Sequence, residues 1–129
     1  YLQTLNRIQF FVSADIGMGE YMIKNFEAMA CGCVLFAYDQ GQEENEAIGF
    51  KDMHNIVLYK DITSLKNKLA VLRKDTELAT AIAKNGQKLA EGNYTFAQQG
   101  KAVVDALYEP LRNRVNLSFY QRICIKLGA

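Results

Sequence analysis

Several residue types, and net charge, are scarce in this chain of 129 residues, and their scarcity argues against particular classes of protein. It contains one proline, no tryptophan and a single histidine, His54, and its formal net charge is +1. A charge this close to neutral gives no basis for nucleic-acid binding, which depends on clustered positive charge. Its three cysteines lack the paired spacing of a zinc site. They are typical of small buried side chains in a reducing compartment.

Long apolar runs are also missing. No stretch approaches the roughly 20 apolar residues of a transmembrane helix, and no secretory signal peptide is visible. We therefore expect a cytoplasmic protein, with no metal and no cofactor of its own. The composition, 50% hydrophobic and 22% charged, is ordinary for one globular domain. The chain opens at Tyr1 on what resembles the tail of a helix, and we expect it to be part of a longer protein that has an N-terminal domain.

The stretch GEYMIKNFEAMACGC, residues 19–33, organises the rest of the chain. Met22, Phe26 and Met29 recur at i, i+4 and i+7, which predicts a helix over residues 21–31 with one apolar face. Gly32 follows the last periodic residue, where a left-handed turn ends a helix without a Cβ penalty. The next residue, Cys33, begins a continuous apolar run.

Two apolar runs of strand length, residues 8–13 and 33–38, flank this helix, and a third follows at residues 55–59. They do not alternate with polar residues, which is typical of parallel strands buried on both faces. The pattern predicts an α/β fold, a Rossmann-like parallel sheet flanked by helices. The loop of residues 14–20 then lies at a strand's carboxyl end and a helix's amino end, where open α/β sheets bind ligands.

Four further helices are predicted along the chain. A short helix over residues 42–48 carries three acids that are either solvated or, alternatively, a metal site: Glu43, Glu44 and Glu46. Two helices over residues 61–73 and 75–89 follow, with a break at residues 92–93. The last helix, residues 95–108, has a stripe that we expect to face the core, made of Phe96, Val103, Val104 and Leu107.

The run FEAMACGCVLFAYD, residues 26–39, resembles the signature of group 1 glycosyltransferases of the GT-B fold. A basic residue, Lys24, three positions before Glu27 is similar to one subgroup of that family. The pieces NIVLY at 55–59, IAKNG at 82–86 and NYTF at 93–96 follow in the family's usual order, so the resemblance spans residues 5–107. It implies that residues 1–110 are a nucleotide-sugar-binding half-domain from the C-terminal domain of such an enzyme.

The resemblance implies that Glu27 binds the ribose hydroxyls of the donor nucleotide, since carboxylates accept such hydrogen bonds well. We expect Glu27 to point into the cleft formed by the loops of residues 14–20 and 39–42. Lys24, one helical turn earlier, would neutralise phosphate or hold Glu27 in place. Glu20 would share their helical face. The alternative is an exposed Glu/Lys surface pair without a binding role.

Glu20 departs from the family pattern, because six residues rather than the usual seven separate it from Glu27. The backbone amides from Gly17 to Tyr21, which include Gly19, therefore become alternative contacts for the donor. In the family, the cations that hold the diphosphate lie upstream and the catalytic base lies in the other domain. The catalytic residues are thus unknown here, and we expect the chain alone to be inactive and to self-associate through uncovered apolar surface.

The last segment, residues 111–129, is a basic amphipathic tail with no acid. Its cations are Arg112, Arg114, Arg122 and Lys126, and its apolar side chains are Leu117, Phe119, Tyr120, Ile123, Ile125 and Leu127. Such a segment packs on a neighbouring domain or subunit, lies on an anionic membrane as a peripheral contact at the inner face, or is disordered.

Three hypotheses about function follow. The first is the donor-binding portion of a glycosyltransferase of hexosyltransferase type, retaining, that transfers a sugar to a glycan, lipid or other acceptor, as in polysaccharide biosynthesis. The second is a nucleotide-sugar epimerase of the same fold. The third is a non-catalytic α/β interaction module. Nucleotide-sugar titration separates the first two from the third, and product analysis separates the first from the second.

Overall fold

The structure, a computed structural model, describes residues 1–14 and 20–110. Its centre is a three-stranded sheet, β1 (Phe10–Ser13), β2 (Val34–Tyr38) and β3 (Val57–Tyr59), in the order β1-β2-β3. Both strand pairs are parallel, with Phe10 opposite Val34 and Phe36 opposite Val57. The predicted parallel α/β fold is thereby confirmed, and each strand begins one or two residues later than predicted.

Strand β2 is buried on both faces, as its unbroken apolar run predicted. On one face, Leu35 and Ala37 join a core cluster completed by Met29, Phe50, Ile56, Leu58 and Ala90. On the other face, Val34 and Phe36 join a second cluster completed by Val57, Leu72, Ala79 and Ile82. The sheet is therefore the middle layer between two helical layers.

The described residues form six helices: α1 (Leu2–Leu5), α2 (Ile23–Ala30), α3 (Gln42–Ile48), α4 (Ile62–Lys74), α5 (Thr76–Asn93) and α6 (Phe96–Tyr108). The predicted short helix α3 has the predicted bounds. Asp61 caps α4 and forms a capping box with Ser64, and Asp75 caps α5. Gly32 has φ +76°, which confirms the left-handed turn predicted after α2.

Helix α2 is shorter than predicted, but two residues of its predicted apolar face pack inward, because Met29 lies in a core cluster and Phe26 packs against it. The helix begins at Ile23, so Met22 is its N-cap and not part of an apolar face. The buried residues are Asn25, Ala28 and Met29, while Phe26 is half-buried. Apolar periodicity did not predict that Asn25 extends the buried face, because Asn25 is polar.

Two predictions about the later helices are wrong. Helix α5 continues through Gly92 to Asn93, because a glycine costs a helix interior only about 1 kcal/mol. The stripe of α6 exists but none of its residues is buried: Phe96, Val103, Val104 and Leu107 are 84%, 60%, 49% and 78% exposed. Periodicity determines which residues share a face; whether another element covers that face is a separate matter.

The chain divides into two compact units, Tyr1–Gln99 and Gly100–Ala129. The first unit contains the whole sheet and helices α1 to α5. The predicted tail, residues 111–129, lies outside the described residues, so its packing and membrane alternatives stay predictions. Among the described helices, none is long and apolar enough to cross a membrane.

Gly86 marks a close approach between α5 and the segment that leads into β3. A Cβ there would lie 2.7 Å from the backbone oxygen of Asn55, which a side-chain movement does not relieve. We expect Gly86→Ala to lower the free energy of unfolding by about 1 to 3 kcal/mol, because the helix must shift away. Gly92→Ala in the same helix meets nothing within 4 Å and should raise stability by about 0.5 to 1 kcal/mol.

Urea unfolding followed by circular dichroism measures both variants. Equal stability of Gly86→Ala and the unmodified protein would contradict this close packing. The opposite signs expected for the two glycines make each variant the control for the other.

Candidate functional site

The amino end of α2 lies at the carboxyl edge of the sheet. β1 ends at Ser13, and α2 begins at Ile23 with Met22 as an N-cap that makes no side-chain hydrogen bond. The first turn carries no acid, and among the described residues no side chain caps the first N–H groups of the helix. Such groups attract anions. The predicted Gly19 and its neighbours, residues 15–19, lie outside the described residues.

A chain of hydrogen bonds joins three segments at this edge. The Tyr21 hydroxyl donates to Oδ1 of Asn45 at 2.5 Å, and Nδ2 of Asn45 donates to Oδ1 of Asp39 at 2.8 Å. Nζ of Lys60 lies 3.5 Å from Oδ2 of Asp39. The start of α2, helix α3 and the residues after β2 and β3 are therefore held together. Of these residues, the sequence analysis identified only Tyr21 as a site residue, and for its backbone amide rather than its hydroxyl.

The network contains one carboxylate and one neutral phenol. The hydrogen bond from Asn45 lowers the pKa of Asp39 most; partial burial opposes it, and the Gly41 N–H and Lys60 lower the pKa further. Burial raises the pKa of Tyr21 to about 12, and the nearby charges of Asp39 and Glu44 add to the rise. At neutral pH the Tyr21 phenol is therefore protonated and donates its hydrogen bond, whereas Asp39 is ionised and accepts hydrogen bonds from its neighbours.

A second contact crosses the sheet at the same edge. The Tyr59 hydroxyl donates to the backbone oxygen of Ser13 at 2.8 Å, although β2 lies between their strands. The Tyr59 ring also packs edge-on against Tyr38, with ring centroids 6.0 Å apart. The carboxyl ends of all three strands are thereby tied together.

Glu27, the main predicted site residue, is half-buried on α2, and its Oε2 accepts a hydrogen bond of 2.7 Å from the Tyr1 hydroxyl. It lines an open, mostly apolar groove of about 650 Å³. The other lining residues belong to α2 and its approach or to α5 and the start of α6: Tyr21, Ile23, Phe26, Ala30, Ala90, Glu91, Tyr94, Thr95, Phe96 and Gln99. The groove is thus mainly a feature between α2 and α5.

The sequence analysis placed Glu27 in a cleft between the loops of residues 14–20 and 39–42. In the structure, Asp39, Gly41 and Gln42 line a different cavity of about 550 Å³, and Glu27 is not among its lining residues. Tyr21 connects the two regions, because its ring lines the groove of Glu27 while its hydroxyl bonds Asn45 at the other cavity.

The other predicted acid and cation do not gather around Glu27. Glu20 is exposed and precedes α2, so the helical face that it was expected to share with Lys24 and Glu27 does not form. Lys24 is half-buried, and within residues 1–14 and 20–110 no ion pair joins it to Glu27. The residue that contacts the Glu27 carboxylate is Tyr1, which the sequence analysis missed because the two are 26 positions apart.

Two buried side-chain oxygens lie near the carboxyl edge without a hydrogen-bond partner in the described part of the chain. They are Oγ of Ser13, the last residue of β1, and Oδ1 of Asn25, in the first turn of α2. A buried polar atom without a partner costs about 1 to 3 kcal/mol. The sequence signal that could have identified Asn25 as buried is its spacing of three and four positions from Ala28 and Met29. Residues at this spacing share one helical face, and all three lie on the inward face.

Two of the three acids of α3, Glu43 and Glu44, lie in its first turn, where negative charge is favourable. The third, Glu46, accepts a hydrogen bond of 2.7 Å from Gln42. No group of three or more His, Cys, Asp or Glu side chains among the described residues is arranged to hold a metal ion. His54 is exposed, and its backbone oxygen accepts a hydrogen bond from Asn85.

The raised pKa of Tyr21 gives a test of the edge network. Above pH 10 the phenol of the unfolded chain ionises, whereas the folded phenol stays protonated until about pH 12. The stability that this group contributes is therefore complete below pH 10 and is lost as the pH rises towards 12. Ultraviolet absorbance of phenolate, compared between the unmodified protein and Tyr21→Phe, measures this titration. A difference spectrum that titrates near pH 10 would contradict the buried hydroxyl.

Comparison with known proteins assigns this arrangement to a family. The model of a family described as glycosyl transferase-like matches residues 1–105, which include the whole sheet, α2 and the Glu27 groove. No curated protein and no solved structure gives a significant match. A family match over most of the chain, on a Rossmann-like parallel sheet, shows that the chain belongs to the glycosyl transferase-like family.

Proposed function

We propose that this chain is the donor-binding part of a GT-B glycosyltransferase and that Glu27 accepts the ribose hydroxyls of a nucleotide sugar. The observation that carries the proposal is the position of the Glu27 carboxylate. It lies on the wall of an open groove, on the helix whose uncapped amino end is at the carboxyl edge of a parallel sheet. Its single described hydrogen bond, from Tyr1, leaves acceptor sites on both oxygens.

The chemistry of sugar transfer assigns a task to each group. The bond between the anomeric carbon and the diphosphate oxygen breaks, and the diphosphate leaves with added negative charge. The N–H groups at the start of α2 supply partial positive charge for it, and Lys24 in the first turn adds a full charge. Glu27 lies one helical turn after Lys24, so a single nucleotide sugar can contact both residues. The acceptor oxygen forms the new bond to the anomeric carbon, and the proton of the acceptor hydroxyl passes to a base or to the leaving diphosphate.

The remaining parts of the site belong to the rest of the enzyme in this proposal. The family resemblance implies an N-terminal domain that supplies the catalytic base and faces this sheet edge across the donor. It also implies upstream cations for the diphosphate and a retaining hexosyl transfer to a glycan, lipid or other acceptor. The protein's location would be cytoplasmic, with peripheral contact at the inner membrane face through residues 111–129.

Glu27→Gln tests the central assignment. The full-length enzyme should use its donor about 10-fold less well or worse, because a charge-assisted hydrogen bond contributes about 1.5 to 3 kcal/mol. The fold should be unaffected, since the carboxylate is at the surface of the groove. Glu77→Gln is the matched control, because Glu77 is an exposed glutamate on α5 that does not line the groove.

Steady-state kinetics with a panel of UDP- and GDP-sugars, together with analysis of the sugar products, measures this effect. Unchanged donor kinetics in Glu27→Gln would remove Glu27 from the site. Release of an epimerised sugar without transfer would favour the epimerase hypothesis. Failure of every nucleotide sugar to bind the full-length protein would favour the interaction module.

Residues 1–129 alone should bind nucleotide sugars only at about millimolar affinity, which is a binding free energy of about −4 kcal/mol. The reason is that only the ribose and the base are contacted, without the upstream cations that hold the diphosphate. They should also self-associate. The outer edges of β1 and β3 have no further strand among the described residues, and Phe96 and Leu107 of α6 are largely exposed. Calorimetry and light scattering measure the two properties. Micromolar binding by a monodisperse monomer would contradict this prediction.

A further inference from the structure

We propose that Tyr1 is a positioning residue that holds Glu27 in the orientation that binds ribose, and so sets the preference for ribose over deoxyribose in the donor. This inference rests on the proposed function and deepens it. It concerns a residue 26 positions from Glu27, outside the signature that carries the family resemblance.

The contact between Tyr1 and Glu27 is a hydrogen bond between their side chains. The Tyr1 hydroxyl donates to Oε2 of Glu27 at 2.7 Å, a length typical of a hydrogen bond to a carboxylate. In the described part of the chain, neither Lys24 nor any other cation forms an ion pair with Glu27. The holding role that the sequence analysis considered for Lys24 therefore falls to Tyr1, and Lys24 stays available to the phosphates.

The backbone of Tyr1 is held in place, although its side chain is 70% exposed. Its backbone oxygen accepts hydrogen bonds from the N–H groups of Thr4 at 3.0 Å and Leu5 at 3.1 Å. Leu5 is buried, and its own backbone oxygen accepts from Sγ of Cys33 at 3.4 Å. Helix α1 is thus anchored beside the start of β2, and the phenol approaches α2 from a fixed base.

Orientation matters here because Glu27 is on an open groove wall. A free glutamate side chain samples several rotamers and must give up that freedom when a ligand binds. With Oε2 held by Tyr1, Oε1 and the remaining lone pair of Oε2 stay available for the two ribose hydroxyls. Tyr1 remains a donor over the physiological range, since the hydrogen bond to Glu27 raises the pKa of its phenol.

The test measures ribose preference rather than affinity alone. Calorimetry determines the dissociation constants of UDP and GDP and of their 2′-deoxy and 3′-deoxy forms for the full-length protein. The variants are Tyr1→Phe, Glu27→Gln, the double variant, and Tyr108→Phe as a control at another exposed tyrosine. Phenylalanine keeps the ring of Tyr1 and removes only the hydroxyl, so thermal unfolding should be almost unchanged.

We expect Tyr1→Phe to lower the ribose preference about 2- to 10-fold, the effect of one hydrogen bond, with unchanged affinity for the deoxy nucleotides. In the Glu27→Gln background the same change should have a smaller effect, because the two residues act as a pair. Tyr108→Phe should leave the preference unaltered.

The outcomes distinguish this inference from the proposed function. If Glu27→Gln removes the ribose preference but Tyr1→Phe keeps it, the positioning role of Tyr1 is overturned and the donor site stands. If Tyr1→Phe weakens ribo and deoxy nucleotides equally, its role is structural and the inference is again overturned. If Glu27→Gln leaves the preference unchanged, or no nucleotide binds, both the proposed function and the inference are wrong.

Discussion

Burial of strand β2 on both faces is the constraint on which the rest of the structure depends. Five consecutive residues, Val34–Tyr38, must be covered from two sides, which requires a helical layer above and below the sheet. Because the three strands are parallel, their carboxyl ends all lie at the same edge of the sheet. The amino ends of α2, α3 and α4 follow at that edge, so the ligand-binding side of the fold is a consequence of how its core is covered.

The two carboxylates near that edge are in contrasting situations. Asp39 accepts hydrogen bonds from Asn45 and the Gly41 N–H and lies beside Lys60, so its bonding capacity is largely spent on holding loops together. Glu27 has one described donor and faces an open groove. A carboxylate that is saturated by the protein serves the fold, whereas one that retains free acceptor sites is available to a ligand.

Local patterns predicted most of the fold, and long-range contacts account for what was missed. The unbroken apolar runs identified all three strands, and Gly32 identified the end of α2, because each signal is contained within a few residues. The contacts of Glu27 with Tyr1 and of Tyr21 with Asn45 join positions 26 and 24 apart, and only the folded chain brings them together. The prediction that the stripe of α6 faces the core was wrong for a related reason, since a sequence shows that a face is apolar without showing what covers it.

The hydrogen bond from Tyr59 to Ser13 has a consequence for how the sheet edge fluctuates. It spans the central strand, so the end of β1 is fastened to β3, a strand of only three residues. When β3 frays, Ser13 loses this second anchor and keeps only its pairing with Ala37 of β2. The local stability of the end of β1 therefore depends in part on the shortest strand of the sheet, on the far side of β2.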